Sequence, residues 1–376
     1  MPAKVETVIK YMEELAPASF ALPDDPVGLQ LGDPQAGADK ILVALDPDQR
    51  AVEEAERLGA NMLVTHHPLF YTRLSAINEN LPAGALIAKA IRSGLNIFCA
   101  HTNYDVAPDG VTYRLAKALG FQEESADVLE ITGSEQFLKL VVFVPAGHED
   151  KIRNALAEAG AGQIGNYSYC TFQTAGIGTF KPEEGTSPYV GSAGRLEKVE
   201  ELRLETILPV TRRKAVVEKL IQAHPYEEVA YDLYPLALDG RAVGLGLILK
   251  LDQALALEDI LQACRQKLNS SALRYWPAGK RSFKMIALCG GSGGSLIEQA
   301  ARKEADLFIS GDFRYHDLKL AQSLGLALID AGHDGTEWPG VAYLREYLEG
   351  KLKADNYRTE VILQAKNPAE WSWSTG

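Results

Sequence analysis

"ILVALDPDQRAVEEAERLGANMLVTHH", residues 41–67, carries the order strand, helix, strand. ILVALD (41–46) is a short β-rich apolar run. AVEEAERLG (51–59) has helical periodicity and stops at a glycine, and NMLVTHH (61–67) is a second apolar run. Two strands joined by a helix form a βαβ unit, the building block of a parallel sheet. The rhythm continues through GALIAKAIRSG (84–94), NIFCAHTNYD (96–105, read as a strand) and GVTYRLAKALG (110–120). It returns late in the chain, where KMIALCGGSGG (284–294), LFISGDF (307–313) and LALIDAGH (326–333) each lead into a helical stretch. RTEVILQ (358–364) is expected to close the sheet as an edge strand. MPAKVETVIKYMEELAP (1–17) reads as an amphipathic helix without the apolar core of a signal peptide.

Between these two runs the rhythm changes. FLKLVVFVPA (137–146), two long strand-like stretches (167–180 and 195–209) and EVAYDLYPLA (228–237) alternate with helical stretches at 149–161 and 212–224. That order, β-α-β-β-α-β, is the ferredoxin-like pattern. The expected fold is therefore α/β: segments 1–129 and 239–376 form one divided domain with a mostly parallel sheet, interrupted by an α+β insert at 130–238. EEGTSPYVGSAG (183–194) is expected to be a loop or hairpin crossing within the insert.

Composition narrows the function classes. A chain of 376 residues with 46% apolar and 23% charged residues is long enough for two globular domains. Its formal charge of −12 argues against a nucleic-acid partner, because a net-acidic protein repels a phosphate backbone. No apolar run reaches membrane-spanning length, so no membrane partner is expected. The four cysteines, Cys99, Cys170, Cys264 and Cys289, show no CxxC spacing, which speaks against a disulfide framework and for the reducing cytoplasm.

In an open parallel sheet, ligands gather beyond the carboxyl ends of the strands. Polar residues cluster at those ends here. His66 and His67 follow an apolar run. In extended backbone, adjacent side chains diverge, but at a strand-to-loop transition each imidazole could serve one of two close-set metals. The bland reading is a strand end with one histidine hydrogen bonded and the other exposed. Asp105 is either a hard-oxygen ligand or an ordinary turn residue. His333 and Glu337, spaced i, i+4, share a helical face and could bind one ion or adjacent ions. Against this, Glu337 is also a favourable acid in a first helical turn, and Gly335 and Pro339 argue against a regular helix. Together these five residues suit two divalent cations, with glutamate able to bridge; zinc, iron, manganese and cobalt all accept such ligands. Paired metals activate water and clamp oxygens, so an enzyme reading means hydrolysis. His101 and His316 are candidate proton shuttles, and Ser310 and Asp312 candidate outer contacts. GGSGGS (290–295) could hold a phosphate on backbone N–H groups, or could be a tight turn that needs small residues. His148 and His224 read as surface or structural residues. AHPYEEVAYDLYPL (223–236) is conspicuously aromatic and acidic, and a half-buried edge strand explains it equally well.

VTHHPLF (64–70), HTNYDVAPDGV (101–111), ISGDFRYHD (309–317) and DAGHDGTEWPG (330–340), with PVGLQLGDP (26–34) and ILVALDP (41–47), resemble the Nif-three-like family, the GTP cyclohydrolase 1 type 2 homologues. The 130–238 insert resembles the PII- or CutA-like module of the longer bacterial members. The resemblance implies a dinuclear metal site of His66, His67, Asp105, His333 and Glu337, with Glu337 bridging. Asp105 would join one metal and His333 the other. It also implies a ring-shaped homohexamer whose metal sites face an internal cavity. Two departures bear on the substrate pocket: DDP (24–26) replaces the usual Trp-Asn or Asp-Asn lead before VGLQ, and Asp-Gly-Thr separates His333 from Glu337. The expected function is a cytoplasmic dinuclear-metal hydrolase of a nucleotide or other phosphorylated small molecule. If the family's named activity applies, the reaction is hydrolytic opening of the purine ring of GTP. The alternative is a non-catalytic metal-binding or regulatory assembly protein whose insert binds a ligand or partner.

Overall fold

The computed structural model describes residues 1–365, except 72, 73, 123–125, 239, 269 and 271. The chain divides into two compact units, residues 1–133 with 242–376, and residues 134–241.

The first unit is α/β, but the single, mostly parallel sheet expected for it is replaced, among the described residues, by two large sheets and a two-stranded pair, Ala3–Lys4 with Gly37–Ala38. A five-stranded sheet has the order Glu360–Leu363, Lys40–Ala44, Met62–Thr65, Asn96–Cys99, Gly28–Leu31, all parallel except the last. RTEVILQ does close it as an edge strand, beside Lys40–Ala44. A six-stranded mixed sheet runs Arg274–Trp276, Ala327–Asp330, Leu307–Gly311, Ser282–Ser292, Ala242–Ala256, Asp127–Ser134. Ala242–Ala256 lies antiparallel to Ser282–Ser292, and neither it nor the helix Leu257–Lys267 that follows is anticipated from the sequence. Local periodicity specifies strands and their crossover helices; it does not say which sheet each strand joins.

One helix serves both sheets. His333–Ala354 sends Val341, Leu344, Leu348 and Leu352 into a core with Ile41, Val43, Met62, Val64 and Phe98 of the five-stranded sheet. The same helix packs against Ser282–Ser292 and Leu307–Gly311 of the other sheet. It runs unbroken through Gly335 and Pro339, because burying this apolar stripe outweighs a hydrogen bond lost at the proline.

A second local departure lies at NIFCAHTNYD. The strand stops at Cys99, and Thr102–Val106 forms a short helix. Asp25 explains the break: its carboxylate accepts from the Thr102 backbone N–H and hydroxyl, satisfying donors that open this helix.

The second unit is a four-stranded antiparallel sheet in the order Tyr231–Leu236, Phe137–Pro145, Glu197–Pro209, Thr171–Phe180. Alternate residues of the inner strands, Leu138, Leu140, Val142, Val144, Leu204 and Leu208, face Ile152 and Leu156 of Glu149–Glu158 and Val216 and Leu220 of Arg213–Ala223. No helix among the described residues is long and apolar enough to cross a membrane.

Candidate metal centre

His66 and His67 sit just past Met62–Thr65, where their backbone N–H groups still bond Ala44 and Leu45 of the neighbouring strand's end. The alternation of side chains fails at this point, and the two rings lie 5.2 Å apart. One donor atom from each of His66, His67 and Glu337 falls within 4.8 Å of the others. Glu337 is the hub. Its carboxylate oxygens lie 3.5 Å from His66 Nε2, 3.2 Å from His67 Nε2 and 3.0 Å from His333 Nε2. Asp105, carried on the short helix, reaches His66 Nε2 at 3.6 Å. The structure thus brings together all five residues expected as ligands.

The other nitrogen of each imidazole is already committed. His66 Nδ1 is 2.8 Å from the Ala100 carbonyl, His67 Nδ1 2.7 Å from Asp46, and His333 Nδ1 2.8 Å from Asp312. A carbonyl or carboxylate oxygen can only accept, so each Nδ1 carries its hydrogen and each Nε2 is left to present a lone pair or a second proton. Such a backing acceptor is the usual way in which a metal-binding imidazole is oriented and made more basic. In the interior, His66 Nε2 and Glu337 Oε2 are buried and make no hydrogen bond. Unpaired buried polar atoms are costly, and a cation among them would satisfy both. The donor set therefore fits divalent metal.

Electrostatics point the same way. Burial lowers the basicity of the imidazoles, but surrounding carboxylates outweigh it: His66 is raised, His67 rises to about 10 through Asp46 and Glu337, and His333 rises to about 9 through Glu337 and Asp312. Burial pushes Glu337 up, yet the three imidazoles hold it well below the usual carboxylate range. Burial keeps Asp105 above its usual value, with the neighbouring imidazoles opposing. Without metal, the pocket binds protons where a metal would sit.

Of the two expected proton shuttles, His101 stands at the cluster. Its ring centroid is 5.4 Å from that of His66 and 5.8 Å from that of His67, and its Nδ1 lies 2.8 Å from Asp25. His316 is exposed in the first turn of Tyr315–Leu324 with its ring edge-on to Tyr315, and none of the described contacts of the cluster includes it.

Residues 3–368 match the model for Duf34/NIF3, NGG1p interacting factor 3. The chain belongs to the DUF34/NIF3 family. It is 41% identical over 360 residues to a Halalkalibacterium halodurans protein called GTP cyclohydrolase 1 type 2 homolog, with 96% of each chain covered. A Bacillus subtilis protein of the same name is 38% identical over 328 residues, 87% of each chain. A solved structure of a Bacillus cereus protein related to NIF3 superposes with a TM-score of 0.81 at 38% identity, covering 100% of both chains.

In this NIF3-family chain the glycine run is explained by close packing. Ser282–Ser292 extends through Gly290 and Gly291, and the run then leads through the 3₁₀ turn Gly294–Leu296 into the helix Ile297–Arg302. Gly291 has φ +64°, and a Cβ there would lie 2.2 Å from Glu337 Oε1. A Cβ on Gly311 would lie 2.6 Å from the His333 backbone nitrogen. The Gly291 N–H donates to buried Thr336 Oγ1 at 2.9 Å, which fixes the first turn of the ligand helix against this strand. Sequence reasoning missed Asp46 and Asp25 as imidazole partners. Asp46 carries one usable signal, an acidic residue ending an apolar strand beside the histidine strand; Asp25 carries none, because its partner lies 76 residues away.

Proposed function

We propose that this NIF3-family protein is a cytoplasmic dinuclear divalent-metal hydrolase acting on a nucleotide or another phosphorylated small molecule. The observation that supports this reading best is the convergence of three Nδ1-anchored imidazoles on the buried Glu337 carboxylate. His66 with Asp105 would hold one ion, and His67 with His333 the other. Glu337, close to all three imidazoles, would bridge. Zinc, iron, manganese or cobalt suits this mixture of imidazole and carboxylate. When bound, such a pair supplies Lewis acidity and lowers the pKa of water.

This chain's own residues supply the remainder. Asp46 and Asp312 hold His67 and His333 in the tautomer that directs Nε2 inward. Asp25 does the same for His101, leaving His101 Nε2 to take or return a proton beside the cluster. His101 is better placed for this than the exposed His316. The names of the curated relatives suggest GTP as substrate, with the purine ring opened by hydrolysis. A ring-shaped homohexamer is also proposed, and sedimentation of the purified protein tests it.

The ferredoxin-like strand order of the 134–241 unit supports reading it as a PII- or CutA-like insert. A cavity within that unit favours a second reading, a metal-binding regulatory protein that senses a ligand there. Protein loaded separately with each metal, screened against GTP, other nucleotides and phosphodiesters, separates the two. Turnover lost in both Asp105→Ala and Glu337→Ala supports the hydrolase. Two bound ions without turnover of any substrate overturn it in favour of the regulatory protein.

A further inference from the structure

The 134–241 unit holds a half-open cavity of about 420 Å³, within the roughly 300–1,000 Å³ typical of small-molecule sites. Two stretches that the metal centre does not use meet there. EEGTSPYVGSAG supplies Tyr189, and AHPYEEVAYDLYPL supplies Tyr226, Glu227 and Glu228. Phe180 and Glu201, from neighbouring strands, add to the wall. The Tyr226 ring is 5.9 Å from that of Tyr189 and 6.3 Å from that of Phe180, so three aromatic rings share one space.

Glu201 is the unusual member. It is only 9% exposed, and its one described side-chain hydrogen bond comes from the Tyr226 hydroxyl at 2.9 Å. Gly178 makes room for its second oxygen, since a Cβ there would lie 2.0 Å from Glu201 Oε2. No lysine or arginine is among the described residues that line the cavity. A buried carboxylate with one neutral donor is poorly compensated, and Glu227 and Glu228 add to the negative field. Glu227 is steadied by the Ser187 backbone N–H at 2.9 Å, which ties the loop to the acidic segment.

The geometry points to a binding site for a small organic cation of the alkylammonium class. Aromatic faces attract such a cation through their quadrupoles, and Glu201 supplies the opposite charge at the cavity wall. Anionic ligands such as nucleotides meet three carboxylates and, among the described lining residues, no lysine or arginine. The site is chemically separate from the metal centre and does not depend on its activity.

Calorimetric titration of the full-length, metal-loaded protein with choline tests this. Its neutral isostere 3,3-dimethyl-1-butanol and ATP serve as comparators. Choline should bind, with the alcohol weaker by about tenfold. Glu201→Gln and Tyr189→Ala should each weaken choline by about tenfold, with melting temperature and metal content unchanged. If Glu201→Gln does not fold, Tyr189→Ala, altered only in an exposed loop, reads the same cage. Equal binding of choline and the alcohol, ATP that competes with choline, or no choline binding by the unaltered protein overturns the proposal.

Discussion

His67 Nε2 and His333 Nε2 face each other at 3.3 Å. Both rings commit Nδ1–H to an aspartate, so neither has a neutral tautomer that could donate across this gap. Two lone pairs at that distance repel, and in the metal-free protein the Glu337 carboxylate, 3.2 Å from one Nε2 and 3.0 Å from the other, favours a proton on each ring against their mutual repulsion and raises them to about 10 and 9. Metal ligation requires those Nε2 protons to leave. Loading the metal-free protein at pH 7 should therefore release about two protons per chain. Titrations in buffers of different ionisation enthalpy measure that number, and a release of zero would contradict the ligand assignment of His67 and His333.

Asp46→Asn and Asp312→Asn test the supports behind these rings. An amide can offer its oxygen to Nδ1–H but lacks the charge that raises imidazole basicity. Each variant should keep its fold and lose about 10–100-fold in metal affinity. Competition with a chromophoric chelator reads this directly; an unchanged affinity would show that the aspartates do not tune the site.

Gly291→Ala should damage the centre more than the backbone alone would predict. A non-glycine residue at φ +64° costs about 1–3 kcal/mol, and its Cβ would also strike Glu337 Oε1. Gly59→Ala, at φ +67° with open space around the added carbon, is the control for backbone strain. Denaturant melts and metal content of the pair separate the two contributions: Gly291→Ala should lose both stability and metal, Gly59→Ala a smaller amount of stability alone.

His224 makes the 134–241 unit sensitive to acid. Its Nε2–H donates to the Phe143 carbonyl at 3.1 Å, and its Nδ1 accepts from the Tyr226 N–H at 3.1 Å, so the neutral ring is fully used. Burial holds its pKa below the ordinary value. The unfolded chain takes up a proton below about pH 6.5 and the folded chain resists it. Stability is therefore complete above that pH and declines as pH falls below it. Melting curves between neutral and mildly acid pH should show the decline, and His224→Gln should flatten it while lowering the plateau. A wild-type curve that is flat across this interval would show that the folded ring titrates normally.

The sequence by itself determined most strands and helices of the βαβ runs and marked His66, His67, Asp105, His333 and Glu337, at or near strand ends, as candidate ligands. These are consequences of local periodicity and of where polar residues interrupt it. It also marked His333 and Glu337 as neighbours, because i, i+4 spacing on a helix is a local property. Only the tertiary structure decided that the strands divide between two sheets, and that His333–Ala354 packs against both. The same structure ended the His101 strand early through Asp25, and turned Gly290 and Gly291 from a suspected anion loop into the surface against which the ligand helix closes. Each of these rests on contacts between residues far apart in the chain. Their energies come from burial and close approach in three dimensions, which no window along the sequence contains.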